Sequence, residues 1–173
     1  AGDEHFVTEV SDILRSILTR SRDRSAIRQG TREMRALLAQ EKGNQDPWDF
    51  KHVEGGLMDI EFIAQALILE EGKDHPELIA SDTPAILAQG RTLGLIDEED
   101  AATLIATFCL MRDLMQWLRA MVSGDFSPPR ADRSLLKRLA TIAGLPDFKR
   151  LELHLAQLRA RSSEIVTKRL QSL

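Results

Sequence analysis

The chain has 173 residues, 23 Lys+Arg against 27 Asp+Glu, and a formal net charge of −4, so it has neither the basic surplus of a nucleic-acid binder nor an extreme acidic character. With 43% hydrophobic and 29% charged residues it can build a core, which excludes a disordered chain. The absence of Tyr, 5% aromatics, 10 Gly and 6 Pro leave too few strand and turn formers for a sandwich or barrel, and one cysteine excludes an internal disulfide or a cysteine-based zinc site.

The chain starts Ala1-Gly2-Asp3 without an initiator methionine, which suggests a piece cut from a longer protein. No apolar run approaches the roughly 18 residues needed to span a bilayer, and no signal-peptide pattern opens it. Cysteine usage fits a reducing compartment. A cytoplasmic protein without membrane association is expected.

Phe6, Val10, Ile13, Leu14, Ile17 and Leu18 share one face of a first helix. Arg20, Arg22 and Arg24 mark a basic break, and Ser25 is the expected N-cap of a second helix carrying Ile27, Met34, Leu37 and Leu38. That helix stops at Lys42-Gly43-Asn44, with Gly30 inside it marking a kink or close contact. Pro47 to Val53 alternates apolar and polar residues, which predicts a short extended segment near 47–53. Gly55-Gly56 opens the most apolar helix, Leu57 to Glu71. A short helix near His75–Ala80 and one from Asp82-Thr83-Pro84 to Gly94 follow. Ile96-Asp97-Glu98-Glu99-Asp100 combines an apolar staple, an N-cap and dipole-favoured acids. The helix it opens runs to Val122, about 39 Å at 1.5 Å per residue, and is expected to be central. Leu135–Ala143 and Phe148–Leu170 complete the set. The fold class is all-α: a bundle of about seven helices over one domain, 1–173, comprising an N-terminal helical pair (1–43), the motif and central helices (44–122) and the C-terminal helices (130–173).

The chemistry concentrates in WDFKHVEGGLMDIEFIAQALIL, residues 48–69. Two glycines before a helix permit close backbone approach and leave N–H groups facing an anion, with Lys51 within reach of the same place; a plain turn is the alternative. Asp59 sits where the helix dipole favours an acid. Glu61 lies between Ile60 and Phe62 in a helix apolar nearly all round, so it needs a partner, and Arg112 in the long helix is the natural one for a buried ion pair. His5, His52, His75 and His154 have no metal-ligand spacing, so no metal site is expected. Cys109, Met111, Met115 and Met121 read as core residues.

The string FKHVEGGLMDIEFIAQALIL resembles the motif that follows the catalytic domain in the glutamine synthetase adenylyltransferase family, bifunctional enzymes of bacterial nitrogen control. Thr83-Pro84, Leu93-Gly94-Leu95-Ile96 and Leu110-Met111-Arg112 extend the resemblance over most of the chain. It implies a helical domain beside a nucleotidyltransferase domain, and it implicates Lys51, Gly55, Gly56, Asp59, Glu61, Gln65 and Arg112. The form Gly55-Gly56-Leu57-Met58-Asp59-Ile60-Glu61-Phe62 is similar to the C-terminal, adenylylating half, and the chain's ending soon after its last helix suits that assignment.

The resemblance further implies transfer of AMP from ATP to a glutamine synthetase tyrosine, its removal, and regulation by the PII protein and glutamine. The family's Mg²⁺-holding Gly-Ser…Asp-x-Asp motif has no counterpart here. No catalytic residue and no ATP or Mg²⁺ site is therefore expected in this chain, and the fragment alone is expected to be inactive, with its own nucleotidyltransferase domain and glutamine synthetase as partners. The alternative is a non-catalytic helical docking or regulatory module, as in a PII uridylyltransferase-like protein.

Overall fold

The computed structural model describes residues 4–42, 46–80 and 82–171. They form seven α-helices: α1 (Glu4–Leu18), α2 (Arg24–Lys42), α3 (Leu57–Glu71), α4 (Thr83–Thr92), α5 (Glu98–Met121), α6 (Arg133–Ile142) and α7 (Phe148–Gln171). Single 3-10 turns lie at Pro76–Leu78 and Pro128–Arg130, and there is no strand among the described residues. The first of these turns replaces the short helix expected near His75–Ala80. The expected stop at Gly43-Asn44 lies outside the described residues.

Two helix starts are capped by an aspartate side chain. The Asp97 carboxylate accepts the Glu99 and Asp100 amides at 2.9 and 3.4 Å, as a capping residue before α5 should. Before α2 the cap is Asp23 rather than Ser25: its carboxylate accepts the Ser25 amide at 2.9 Å and the Ser25 hydroxyl at 3.0 Å. The Ser25 amide, with help from its hydroxyl, holds the Asp23 carboxyl below its ordinary range.

The core forms around α3, which buries Leu57, Ile60, Ile63, Ala64, Ala66, Leu67 and Ile68 and packs against α2, α4, α5 and α7. α5 faces it with Leu104, Phe108, Met111, Leu114 and Leu118, and α7 with Leu151, Leu155, Ile165, Val166 and Leu170. The expected central role of the long helix is thus shared: α5 and α7 are equally long at 24 residues, and the shorter α3 lies between them and α2. Met111 is fully buried, Cys109 and Met115 are half-buried, and Met121, expected in the core, is half exposed where α5 ends.

The segment around 47–53 is not extended. The Asp49 amide donates to the Asp46 carbonyl, the His52 and Val53 amides to the Asp49 carbonyl, and the Gly56 amide to the Val53 carbonyl, giving consecutive turns. The alternating apolar residues are used differently from those of a strand. Trp48 stacks on Phe148 at 5.3 Å and meets Phe126 and Phe50 edge-on at 4.9 and 5.6 Å. This aromatic cluster pins the segment to the start of α7.

Like α1, α2 buries none of its described residues. Gly30 within it meets nothing: a Cβ there would project into open space, so the glycine marks neither close packing nor contact. Gly30→Ala is therefore expected to raise stability by up to about 1 kcal/mol through helix propensity and reduced unfolded-state freedom. Thermal unfolding checks this; a lower melting temperature would contradict it.

Candidate functional site

The motif residues divide into a locked part and an open part. Gly55 has φ +71°, a conformation that favours glycine, and a Cβ there would fall on the Arg159 carbonyl oxygen of α7. A Cβ on Gly56 would lie 2.6 Å from the Phe50 and Val53 carbonyl oxygens. The pair thus allows α7 and the preceding turns to close on the start of α3. The Ser163 hydroxyl adds a 2.6 Å bond to Glu54.

The N–H groups here are not free for an external anion. The Gly55 amide donates to the Asp59 carboxylate at 2.9 Å, Gly56 to Val53 at 2.9 Å, Leu57 to Phe50 at 2.9 Å and Met58 to Lys51 at 3.2 Å. The expectation of free donors is therefore corrected, since the helix entry satisfies them within the chain.

Asp59 does more than complement the dipole. Arg35 of α2 grips it through two bonds, Nε–Oδ1 at 2.7 Å and Nη2–Oδ2 at 2.8 Å, while Gly55 uses the same Oδ2. Glu61, in contrast, is half-buried and makes no ion pair with Arg112 among the described residues. Arg112 instead meets Asp113 at 3.4 Å and lies 5.9 Å from the Phe108 ring centre. The buried pair expected there does not form. The deeply buried carboxylates of α3 are at its other end, Glu70 and Glu71.

Glu70 receives Arg28 of α2 at 2.8 Å and Arg169 of α7 at 3.4 Å, and Glu71 receives Arg24 at 2.6 Å. The Glu70 hydrogen bond raises the Arg28 guanidinium further above its ordinary value, whereas burial lowers that of Arg169 and Glu70 offsets this in part. Arg24, Arg28 and Arg35 lie at i, i+4 and i+11, hence on one side of α2. The spacing of this run is a sequence signal for acidic partners on a neighbouring helix.

Between α2 and the motif lies a groove of about 510 Å³, lined among others by Arg32, Arg35, Lys51, His52, Asp59 and Phe62. Lys51 is exposed, and His52 is steered by Asp49 at 3.0 Å. Along α3 the residues Met58, Glu61, Phe62 and Gln65 stay half-buried or exposed at i, i+3, i+4 and i+7, so an otherwise buried helix keeps one edge uncovered. Among the described residues no group of three His, Cys, Asp or Glu side chains could hold a metal ion, and no helix is long and apolar enough to cross a membrane. Of the acids at 97–100, Asp97 caps α5 and Asp100 is paired with Arg161 at 3.1 Å and Lys168 at 3.4 Å.

No protein-family model matches the chain. Among individual proteins, the bifunctional glutamine synthetase adenylyltransferase/adenylyl-removing enzyme of Bradyrhizobium sp. strain BTAi1 is 38% identical over 160 residues, 92% of this chain and 16% of that enzyme. The enzymes of the same name from Rhodopseudomonas palustris strain BisB5 and Xanthobacter autotrophicus are 36% and 34% identical over 92% and 99% of the chain. The chain is homologous to one segment of these enzymes. It spans 16 to 17% of their length.

Within this chain, the motif's Asp59 and glycines hold the fold, and its open edge carries Glu61 and Gln65 beside the groove that Lys51 lines. Asp59→Ala or Arg35→Ala should lower stability by about 2 kcal/mol, since each leaves its partner unpaired. Glu61→Ala and Arg112→Ala should each stay within about 1 kcal/mol. Urea unfolding of the four variants checks the contrast, and the reverse order would contradict it.

Proposed function

We propose that this chain is the helical domain that follows the nucleotidyltransferase domain in the C-terminal, adenylylating half of a glutamine synthetase adenylyltransferase. It supports transfer of AMP from ATP to a glutamine synthetase tyrosine and its removal in nitrogen control, within the cytoplasm. The reading is carried by the uncovered edge of α3: a helix buried on its other sides leaves Met58, Glu61, Phe62 and Gln65 open, continuous with exposed Lys51. A second domain covers this edge, and Lys51 supplies a positive charge near the nucleotide phosphates.

ATP and Mg²⁺ belong to the other domain. Asp97 and Asp100 are engaged in capping and pairing, and no three acids or histidines among the described residues converge, so the residues present do not fit a metal site. The isolated chain is accordingly inactive, and the PII protein and glutamine act on the longer enzyme. The engaged Gly55 and Gly56 amides favour one further reading, a helical docking module without nucleotide contact, as in a PII uridylyltransferase-like protein.

Lys51→Ala in the longer enzyme separates the two. The first reading predicts roughly tenfold slower AMP transfer at unchanged melting temperature, the size of one lost charge-assisted contact. Unchanged transfer leaves the docking module.

A further inference from the structure

The first helix presents a face that nothing among the described residues covers. Phe6, Val7, Val10, Ile13, Leu14 and Ile17 recur at helical spacing on α1, and each is 37 to 64% exposed. Only the C-terminal end is fixed. Leu18 packs against the core, and the Arg22 guanidinium donates to the Ile17 and Leu18 carbonyls at 2.6 and 3.0 Å. A helix of 15 residues is marginal in water without a partner, and a contiguous apolar stripe marks an interface.

The size and charge of the stripe identify its occupant. At 15 residues the helix is about 22 Å long, so a stripe roughly 10 Å wide has a footprint of a few hundred Å². That is well under the ~800 Å² per partner of a stable interface between separate molecules. A second copy or a free protein would also have to offset its lost translational freedom, whereas a tethered domain sits at an effective concentration in the millimolar range. The relatives are about six times as long as the matched segment, so most of their chain lies outside it and can supply a tethered occupant. A membrane surface is the wrong chemistry, because the polar side of α1 carries Glu9 and Asp12 against Arg15, while interfacial helices are rich in Lys and Arg.

We infer that α1 is a docking helix whose apolar stripe seats in an apolar groove on another domain of the same, longer polypeptide. This docking is separate from the open edge of α3 and independent of any nucleotide contact by Lys51.

Hydrogen exchange on this chain and on the whole Xanthobacter autotrophicus enzyme, whose match reaches 99% of the chain, tests it. In the 173-residue chain the α1 amides should exchange at least tenfold faster than those of α3. In the whole enzyme the aligned helix should be protected a hundredfold or more relative to this chain. Equal exchange in both would overturn the inference. So would a concentration-dependent dimer of this chain that protects α1, or protection of α1 by vesicles of phosphatidylcholine and phosphatidylserine. The double substitution Val10→Ser with Ile13→Ser should leave the melting temperature of this chain unchanged; a fall of several degrees would show that the stripe is packed within it.

Discussion

Glu70 is the point on which the arrangement of helices depends. Its carboxylate, almost fully buried near the end of α3, is shared by Arg28 of α2 and Arg169 of α7. Arg169 also donates to the Leu95 carbonyl at 2.8 Å and so ties in the turn between α4 and α5. An isolated charge at this depth would be strongly unfavourable, so the site specifies where both arginine-bearing helices must lie. α2 buries no residue, so its arginine contacts with α3 and α7 are its main hold. Arg24–Glu71, Arg28–Glu70 and Arg35–Asp59 run in opposite chain order along the two helices, which sets α2 antiparallel to α3 and fixes its register.

The same pairing shapes the candidate site. Arg35 draws α2 toward the first turn of α3, and the groove lined by Lys51, His52 and Phe62 is the space left between them. Below it, Gly55 and Gly56 let α7 and the motif turns close on the helix entry. One short motif therefore does two jobs. Its glycines and Asp59 build the platform, while Lys51, Glu61 and Gln65 remain on the outside of it.

The helices were legible because apolar spacing near 3.6 residues directly reports a buried face, and Asp97 and Gly55-Gly56 punctuate the chain through local backbone chemistry. Residues 47–53 misled because alternation reads as a strand, whereas here it delivers Trp48 and Phe50 to an aromatic cluster completed by Phe126 and Phe148, far away in sequence. Glu61 looked like the buried acid because its neighbours are apolar. Glu70 and Glu71, next to Gly72 at the helix end, carry no local sequence signal of burial. Their burial comes from α2 and α7, which only tertiary packing brings together. The sequence signal for it is the run of arginines on one side of α2, which calls for acidic partners in a neighbouring helix.

The most direct test of this account is a double-mutant cycle between Arg28 and Glu70, using Arg28→Met and Glu70→Gln and urea unfolding of all four proteins. An antiparallel pair held by buried charge predicts a coupling of about 2 kcal/mol or more, with each single substitution more damaging than its share of the double. A coupling below about 0.5 kcal/mol, with the single effects simply adding, would contradict it and leave α2 held by something other than its arginines.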